Sequence, residues 1–393
     1  MKFLKSLVIT TSLLSSAAFA DNYVSSYDKS AEVVTNLTDN IIMENYNYME
    51  QGAKNLVETV KALQADTSMA NLRRAQEAWR DSRIGFEIAE AHLFGPVVSL
   101  GVDPALDSWP LDTEQMAFSA NIAKGLNGDD LVKFVSSLNE NVTGFHAVEY
   151  VLFGEENNKK PEDFTEVELV YLGHLVDLVN EKVTELKTAW LEDGEETGPA
   201  YLGLIKGSVE GNDIYDDTKS AIEEYVAGMV TIIDEVGTGK LIDPMGDSIS
   251  TANPMLVESQ YSWNSSTDFF WDIAGVWQVW HGNSALTGSE GLGVRDIIAA
   301  TNEELAKQID GEINDALGKI VAISYSQYDS GSGALFKNRG DIISLAQLID
   351  KDDPEHAFRT QISTVSGRKR IGQAEEALDK LSGTLAEEVL PKL

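Results

Sequence analysis

An all-α protein built from two tandem up-and-down helical bundles is the architecture this sequence predicts, on three observations. Apolar residues recur with a period near 3.6 in nearly every long segment, and strand-like alternation is scarce. A charged, breaker-rich run, Asp193-Gly194-Glu195-Glu196-Thr197-Gly198-Pro199, separates four long periodic segments from four more that begin after about residue 210. The chain left after a leader, roughly 370 residues, suits two domains better than one.

The first twenty residues stand apart from the fold. Lys2 and Lys5, the apolar stretch from Leu7 to Ala18, and Ala18-Phe19-Ala20 have the order of a secretory signal with a small-x-small cleavage site. The apolar stretch is too short to span a bilayer. The expectation is a signal peptide over 1–20, a mature chain starting at Asp21, and a periplasmic or extracellular location. No cysteine follows the site, so a lipid anchor there is excluded. No later window approaches eighteen apolar residues, so stable membrane insertion is not expected either.

The first bundle is expected over 21–196, with helices over 24–64, 68–94, 113–124, 128–153 and 164–192. Ser68 precedes Met69 as a cap, Asp129 and Asp130 precede Leu131, and Thr165 with Glu168 forms a capping box. Gly95-Pro96 stops the second of these helices and Gly154 the fourth. The second bundle is expected over 212–393, with helices over 212–236, 256–281, 293–327, 340–350 and 355–389. Asn253-Pro254 marks a start and Gly282 a stop. Residues 95–112, 282–293 and 329–339 are left to loops. A weak internal echo joins Gly144-Phe145-His146 through Gly154 to Gly275-Val276-Trp277 through Gly282. The second copy carries tryptophans where the first carries His146 and Glu149.

Composition narrows the chemistry. With 30 basic against 64 acidic residues, the surface repels nucleic acid and anionic headgroups and attracts cations. The chain has no cysteine, so there is no disulfide framework and no thiolate chemistry. Any metal must be held by His, Asp, Glu or backbone oxygens. The five histidines are therefore informative. His146 and Glu149 lie three residues apart in Gly144-Phe145-His146-Ala147-Val148-Glu149, so on a helix the imidazole and the carboxylate share a face. Val142, Phe145, Val148, Val151, Leu152 and Phe153 surround the pair, which places it inside the protein or in a cleft, where it needs a partner.

A second stripe, Trp79, Arg83, Glu87, Glu90 and Phe94, recurs at spacings of 4, 4, 3 and 4. Aromatic ends with Arg-Glu-Glu between them describe either a half-exposed salt-bridge ladder or an inward row that meets His146 and Glu149. The inward case gives one His with two or three carboxylates, a ligand set for iron, zinc or manganese. The expected metal ligands are His146, Glu149, Glu87 and Glu90. His92 and His356 read as helix-end residues and His174 as a core or boundary residue, while His281 is a cap or a site member. A His-x-x-Glu pair with His281 downstream has the spacing of a zinc carboxypeptidase, but no α/β sheet is encoded. His-Glu-x-x-His and Gly-x-Ser-x-Gly are absent.

Gly144 to Gly154 resembles the signature of the imelysin family, whose hallmark is Gly-x-His-x-x-Glu. The resemblance extends to Trp79-Arg80 through Arg83, Glu87 and Glu90 to Phe94-Gly95-Pro96, and to Asp107-Ser108-Trp109-Pro110-Leu111-Asp112. In the second half it covers Glu258-Ser259-Gln260-Tyr261-Ser262, Ser265 and Asp268, leading to Gly275 and Gly282. The chain departs from the pattern at Asp272, where an amide is expected, and in its dense tryptophans at 263, 271, 277 and 280.

The resemblance implies an exported all-helical protein linked to iron acquisition, in a family also catalogued among metallopeptidases. It adds Arg83, Asp107, Trp109, Ser262, Ser265 and Asp268 as supporting site residues near the interface of the two halves. The leading expectation is a binding protein that captures a divalent or ferric metal, iron foremost and zinc as an alternative, as the ion or a small chelate. It would deliver this cargo to a membrane-bound uptake partner. The alternative is a metal-dependent peptidase in which Glu149 or a neighbouring carboxylate acts as general base. A third reading is a structural or polymer-binding bundle in which His146 and Glu149 merely hydrogen-bond.

Overall fold

The computed structural model describes residues 29–126, 128–195, 197–328, 336–349 and 351–393; the expected signal peptide and the start at Asp21 lie outside them. The described chain is all-α, and its only extended pairing is an isolated bridge between Gly194 and Gly198. Eight helices form the frame: α1 (Met43–Ala65), α2 (Met69–Glu87), α3 (Gly144–Phe153), α4 (Glu166–Leu191), α5 (Thr218–Asp234), α6 (Ser265–His281), α7 (Glu303–Ser324) and α8 (Val365–Thr384).

Helices α1 to α4 pack on one another, and α5 to α8 do the same. The closest pair is α1 with α2. Their backbones meet because Gly52 and Gly85 face each other's helix: a Cβ on Gly52 would lie 2.9 Å from Ser82 Cα, and one on Gly85 2.8 Å from Met49 Cα. Around that contact Leu56, Val60, Leu63, Leu72, Ala75 and Ala78 are buried. Thr165 and Glu168 form the expected capping box at the start of α4, with Thr165 Oγ1 accepting from Glu168 N at 3.2 Å.

The two groups of helices are not separate beads. Buried apolar side chains form one continuous cluster through both. α6 crosses the end of α2 and the 3-10 turn Glu90–His92, and α5 packs on the same turn. The helical stretch leading into α1 reaches across too: Asn36 Nδ2 donates to the carbonyls of Gly282 and Leu292, each at 2.9 Å.

Several expected helices are broken, each for a local reason. The span 128–153 divides into Gly128–Ser136, a 3-10 turn Glu140–Val142 and α3, because Gly144 takes φ +73°. The span 256–281 becomes helical only at Ser265; Asn253 caps a single 3-10 turn, and Ser259 and Trp263 take φ +48° and +61°. Asn302 interrupts 293–327 by turning outward and capping α7 through Leu305 N. Helix α5 runs past its expected end, through a π-helical turn Glu235–Ile242, despite Gly237 and Gly239. The expected loop 95–112 contains two short helices, Pro96–Ser99 and Val102–Asp107.

Candidate functional site

The stripe on α2 faces inward. Trp79, Arg83 and Glu87 have no exposed surface, and Glu90, carried on the following 3-10 turn, is 3 % exposed. Trp79 Nε1 donates to Phe145 O at 2.9 Å, fixing the start of α3 against α2. Gly144 brings the same start against the Val102–Asp107 helix, since a Cβ there would sit 2.4 Å from Leu106 O. Asp107, Arg83 and His146 are thereby drawn to one place.

Arg83 is the hub of that place. Its guanidinium pairs with Asp107 and Glu87, with Glu258 Oε1 at 2.6 Å and with Asp268 at 3.5 Å. It lies between 5.3 and 5.9 Å from the ring centres of Phe145, Phe86 and Trp79. Lys240, from the π-helical turn, is a second hub. Its ammonium lies 3.0 Å from Glu90, 3.2 Å from Glu258 and Asp272, and 3.5 Å from Glu87. Glu258 bridges the hubs, with one oxygen on each cation. Trp109 flanks both ends, its ring 5.6 Å from Lys240 Nζ and edge-on to His146 at 6.4 Å.

At the α3 end, His146 Nδ1 lies 3.1 Å from Glu149 Oε2. A carboxylate oxygen accepts, so Nδ1 donates this bond. Nε2 has no hydrogen-bond partner and lies 3.3 Å from Asp107 Oδ1. A ring oriented through one nitrogen while the other stays free is how metal-binding histidines are held. The second oxygen of Glu149 accepts from Tyr261 N at 2.9 Å, Ser262 N at 2.7 Å and Ser262 Oγ at 2.8 Å. Glu149 thus ties the irregular segment 257–264 to α3. Strained backbone at Ser259 and Trp263 persists because such partners fix it.

Charge is unbalanced in this interior. Glu87, Glu90, Asp107, Glu149, Glu258, Asp268 and Asp272 are all buried, against only Arg83 and Lys240 as fixed cations. Burial raises Glu90 and Asp272 well above the usual carboxylate range and pushes Asp268 up to about 8. Burial also acts on Glu87, but Arg83 and Lys240 outweigh it and hold that group below its ordinary value. Lys240 is raised: burial works against its charge, and Asp272, Glu258, Glu90 and Glu87 prevail. A surplus of buried anions that two cations do not neutralise is relieved by protons or by a bound cation.

Donor atoms are close enough for a cation. Three overlapping sets have atoms within 4.8 Å of one another: Asp107, His146 and Glu258; Glu87, Glu90 and Asp107; and Glu87, Glu258 and Asp268. One imidazole with carboxylates suits iron or zinc. Of the expected ligands, His146 therefore groups with Asp107 and Glu258, and Glu87 and Glu90 group around Asp107, while both oxygens of Glu149 are engaged in hydrogen bonds. Among the supporting residues, Arg83, Asp107, Trp109 and Asp268 meet in the cluster and Ser262 binds Glu149. Ser265 Oγ instead donates to the backbone carbonyl of Glu258 at 2.5 Å. A crevice of about 10 Å³, lined by Trp109, Pro110, His146, Glu149, Gln260 and Tyr261 among others, reaches the His146 end. That is about the room one water needs. A wider groove of about 380 Å³, around Tyr48, Asn55 and Asp81, has none of these residues in its wall.

Sequence reasoning did not assign Lys240, Glu258 or Asp272 to the site. Lys240 had a readable signal, as a lone cation beside Leu241 and Ile242 in Gly239-Lys240-Leu241-Ile242. Asp268 and Asp272, four residues apart on α6, share a face. The remaining histidines serve elsewhere. His92 is buried against Asn45 Nδ2 at 3.0 Å, and His281 ends α6 with its Nδ1 3.1 Å from Trp277 O.

The sequence profile of the imelysin family matches residues 42–385. Iron-regulated protein A of Synechococcus elongatus is 25 % identical over 363 residues, covering 92 % of this chain and 86 % of that protein. Among solved structures, one from Parabacteroides distasonis, assigned as an iron-regulated protein A precursor, superposes with a TM-score of 0.76 at 23 % identity. It covers 93 % of this chain and 95 % of its own. An imelysin-like protein from Psychrobacter arcticum superposes with a TM-score of 0.57 at 12 % identity, over 82 % of this chain and 91 % of its own.

Proposed function

This chain belongs to the imelysin family, and on that premise we propose that it is an exported protein that binds iron as cargo for uptake. One observation carries the reading. His146 presents an Nε2 with no hydrogen-bond partner beside Asp107 and Glu258, in a buried cluster whose carboxylates outnumber its cations. Nitrogen with carboxylate oxygens is a donor set for ferrous, ferric or zinc ions. A relative named for its iron regulation supports iron over zinc. The narrow crevice favours the bare ion over a chelate. In this reading 21–196 and 212–393 are two halves of one binding unit, and an uptake partner at the membrane receives the ion.

The peptidase alternative gains less support. A general base needs a lone pair directed at a metal-bound water. Both oxygens of Glu149 are taken, one by His146 and the other by segment 257–264. A crevice of about 10 Å³ also admits no extended peptide. The test is calorimetric titration of the full chain with ferrous and zinc ions, with elemental analysis of protein taken from its own cell envelope. His146→Ala should weaken binding at least about tenfold, which corresponds to about 1.4 kcal/mol, with helical content unchanged. Undiminished binding would refute the reading. Metal-dependent cleavage of a peptide that Glu149→Gln abolishes would establish the peptidase instead.

A further inference from the structure

We infer that Lys240 is a tethered cation filling the inner of two cation positions in the buried cluster, so that the protein takes a single metal ion, at the His146 end. The inference deepens the metal-binding reading above and rests on it. Lys240 has no exposed surface, and its ammonium is surrounded by carboxylates from four places in the chain. They are Glu87 at the end of α2, Glu90 on the 3-10 turn, Glu258 before α6 and Asp272 within α6. An ammonium has three N–H donors, and here four carboxylates contact it at 3.0 to 3.5 Å. Glu87, Glu90 and Asp272 accept its three hydrogen bonds, and Glu258 Oε2, at 3.2 Å, faces the ammonium as a fourth oxygen, so the ammonium is enclosed by oxygens as a bound ion would be.

A second observation points the same way. Asp272 Oδ1 and Glu258 Oε2 are fully buried and have no hydrogen-bond partner, while Glu87 turns its other oxygen to Arg83. The residue that brings the ammonium there sits in a π-helical turn, whose extra residue per turn redirects side chains and recurs at functional sites. The two ends of the cluster then divide the work. The inner end has only carboxylate oxygens and is already filled by a cation that cannot diffuse away. The outer end has His146 Nε2, with no hydrogen-bond partner, and the crevice, and its Asp107 and Glu258 oxygens lean on Arg83 rather than on a lysine. A cage of oxygens emptied of its lysine would accept a divalent ion, since hard oxygens suit such ions.

The experiment counts zinc ions per chain at equilibrium, by dialysis and elemental analysis, in the full-length protein. Wild type should hold one zinc and Lys240→Ala two, a doubling. Lys240→Arg, which keeps the cation, should hold one. Lys240→Ala combined with His146→Ala should also hold one, now at the inner position. The inference is overturned if Lys240→Ala holds no more zinc than wild type, if wild type already holds two, or if Lys240→Ala stays unfolded in excess zinc. The metal-binding reading fails separately, if His146→Ala holds as much zinc as wild type. A gain in Lys240→Ala would then still establish the inner position.

Discussion

Two histidines in this molecule face an aspartate in nearly the same way. His146 Nε2 lies 3.3 Å from Asp107, and His281 Nε2 lies 3.4 Å from Asp310. They sit on the two helices that the internal echo of the sequence relates, α3 and α6. Their surroundings differ completely. Asp310 also accepts from Trp280 Nε1 at 2.8 Å and from Arg295, and His281 Nδ1 donates to a backbone carbonyl. One carboxylate there answers one guanidinium, at the partly open end of a helix. His146 is instead 3 % exposed and orients through a second carboxylate, beside five further buried acids. A His–Asp contact is therefore not itself a site. What distinguishes the pair at His146 is the charge left uncompensated around it.

That contrast can be broken or sharpened by substitution. The largest effect is expected for Arg83→Met, which leaves Glu87, Asp107, Glu258 and Asp268 without their shared cation. Losing one partner of a buried ionic cluster costs about 3–5 kcal/mol, whereas Arg295→Met at the other pair should cost about 1 kcal/mol or less. Equal losses in denaturant titrations would erase the distinction. Next in size is metal affinity: the tenfold loss expected of His146→Ala should have no counterpart in His281→Ala, whose titration curve should overlay that of wild type. The smallest effect concerns pH. Asp310 is brought down to about 2: burial alone would raise it, and hydrogen bonds from His281, Arg295 and Trp280 outweigh that. A depressed carboxyl contributes stability above its ordinary value of 3.8 and loses it as pH falls through about 2. The stability difference between wild type and Asp310→Asn should therefore shrink by about 1 kcal/mol across that window, allowing for solvent screening at a half-open site. A difference independent of pH would show that the pair contributes nothing to folding.

The sequence made part of this legible. The 3.6-residue period marks the helices, the Thr165–Glu168 box is formed as read, and the Trp79–Arg83–Glu87 stripe faces inward. The His146–Glu149 contact follows from a three-residue spacing on one helix. What escaped reading depends on tertiary structure. The helix expected over 212–236 continues through a π-helical turn to Ile242, and that turn brings Lys240 to Glu90, its partner 150 residues earlier. Residues 257–264 read as helix because their apolar spacing permits it. Glu149 instead draws their N–H groups away from helical partners, so Glu258 arrives from an irregular segment. Local pattern carries no information about a hydrogen bond whose acceptor lies 112 residues earlier.

The bond from Glu149 has a mechanical meaning as well. Two successive backbone N–H groups and a hydroxyl converge on one oxygen, in the way a protein seizes a free anion. The anion here is the protein's own, and it is fixed to the helix that carries His146. Its other oxygen meets the imidazole Nδ1 at 3.1 Å, so a single carboxylate joins the segment before α6 to the ring. Glu149 and His146 lie three residues apart on α3, so one helix holds both the segment 257–264 and the imidazole.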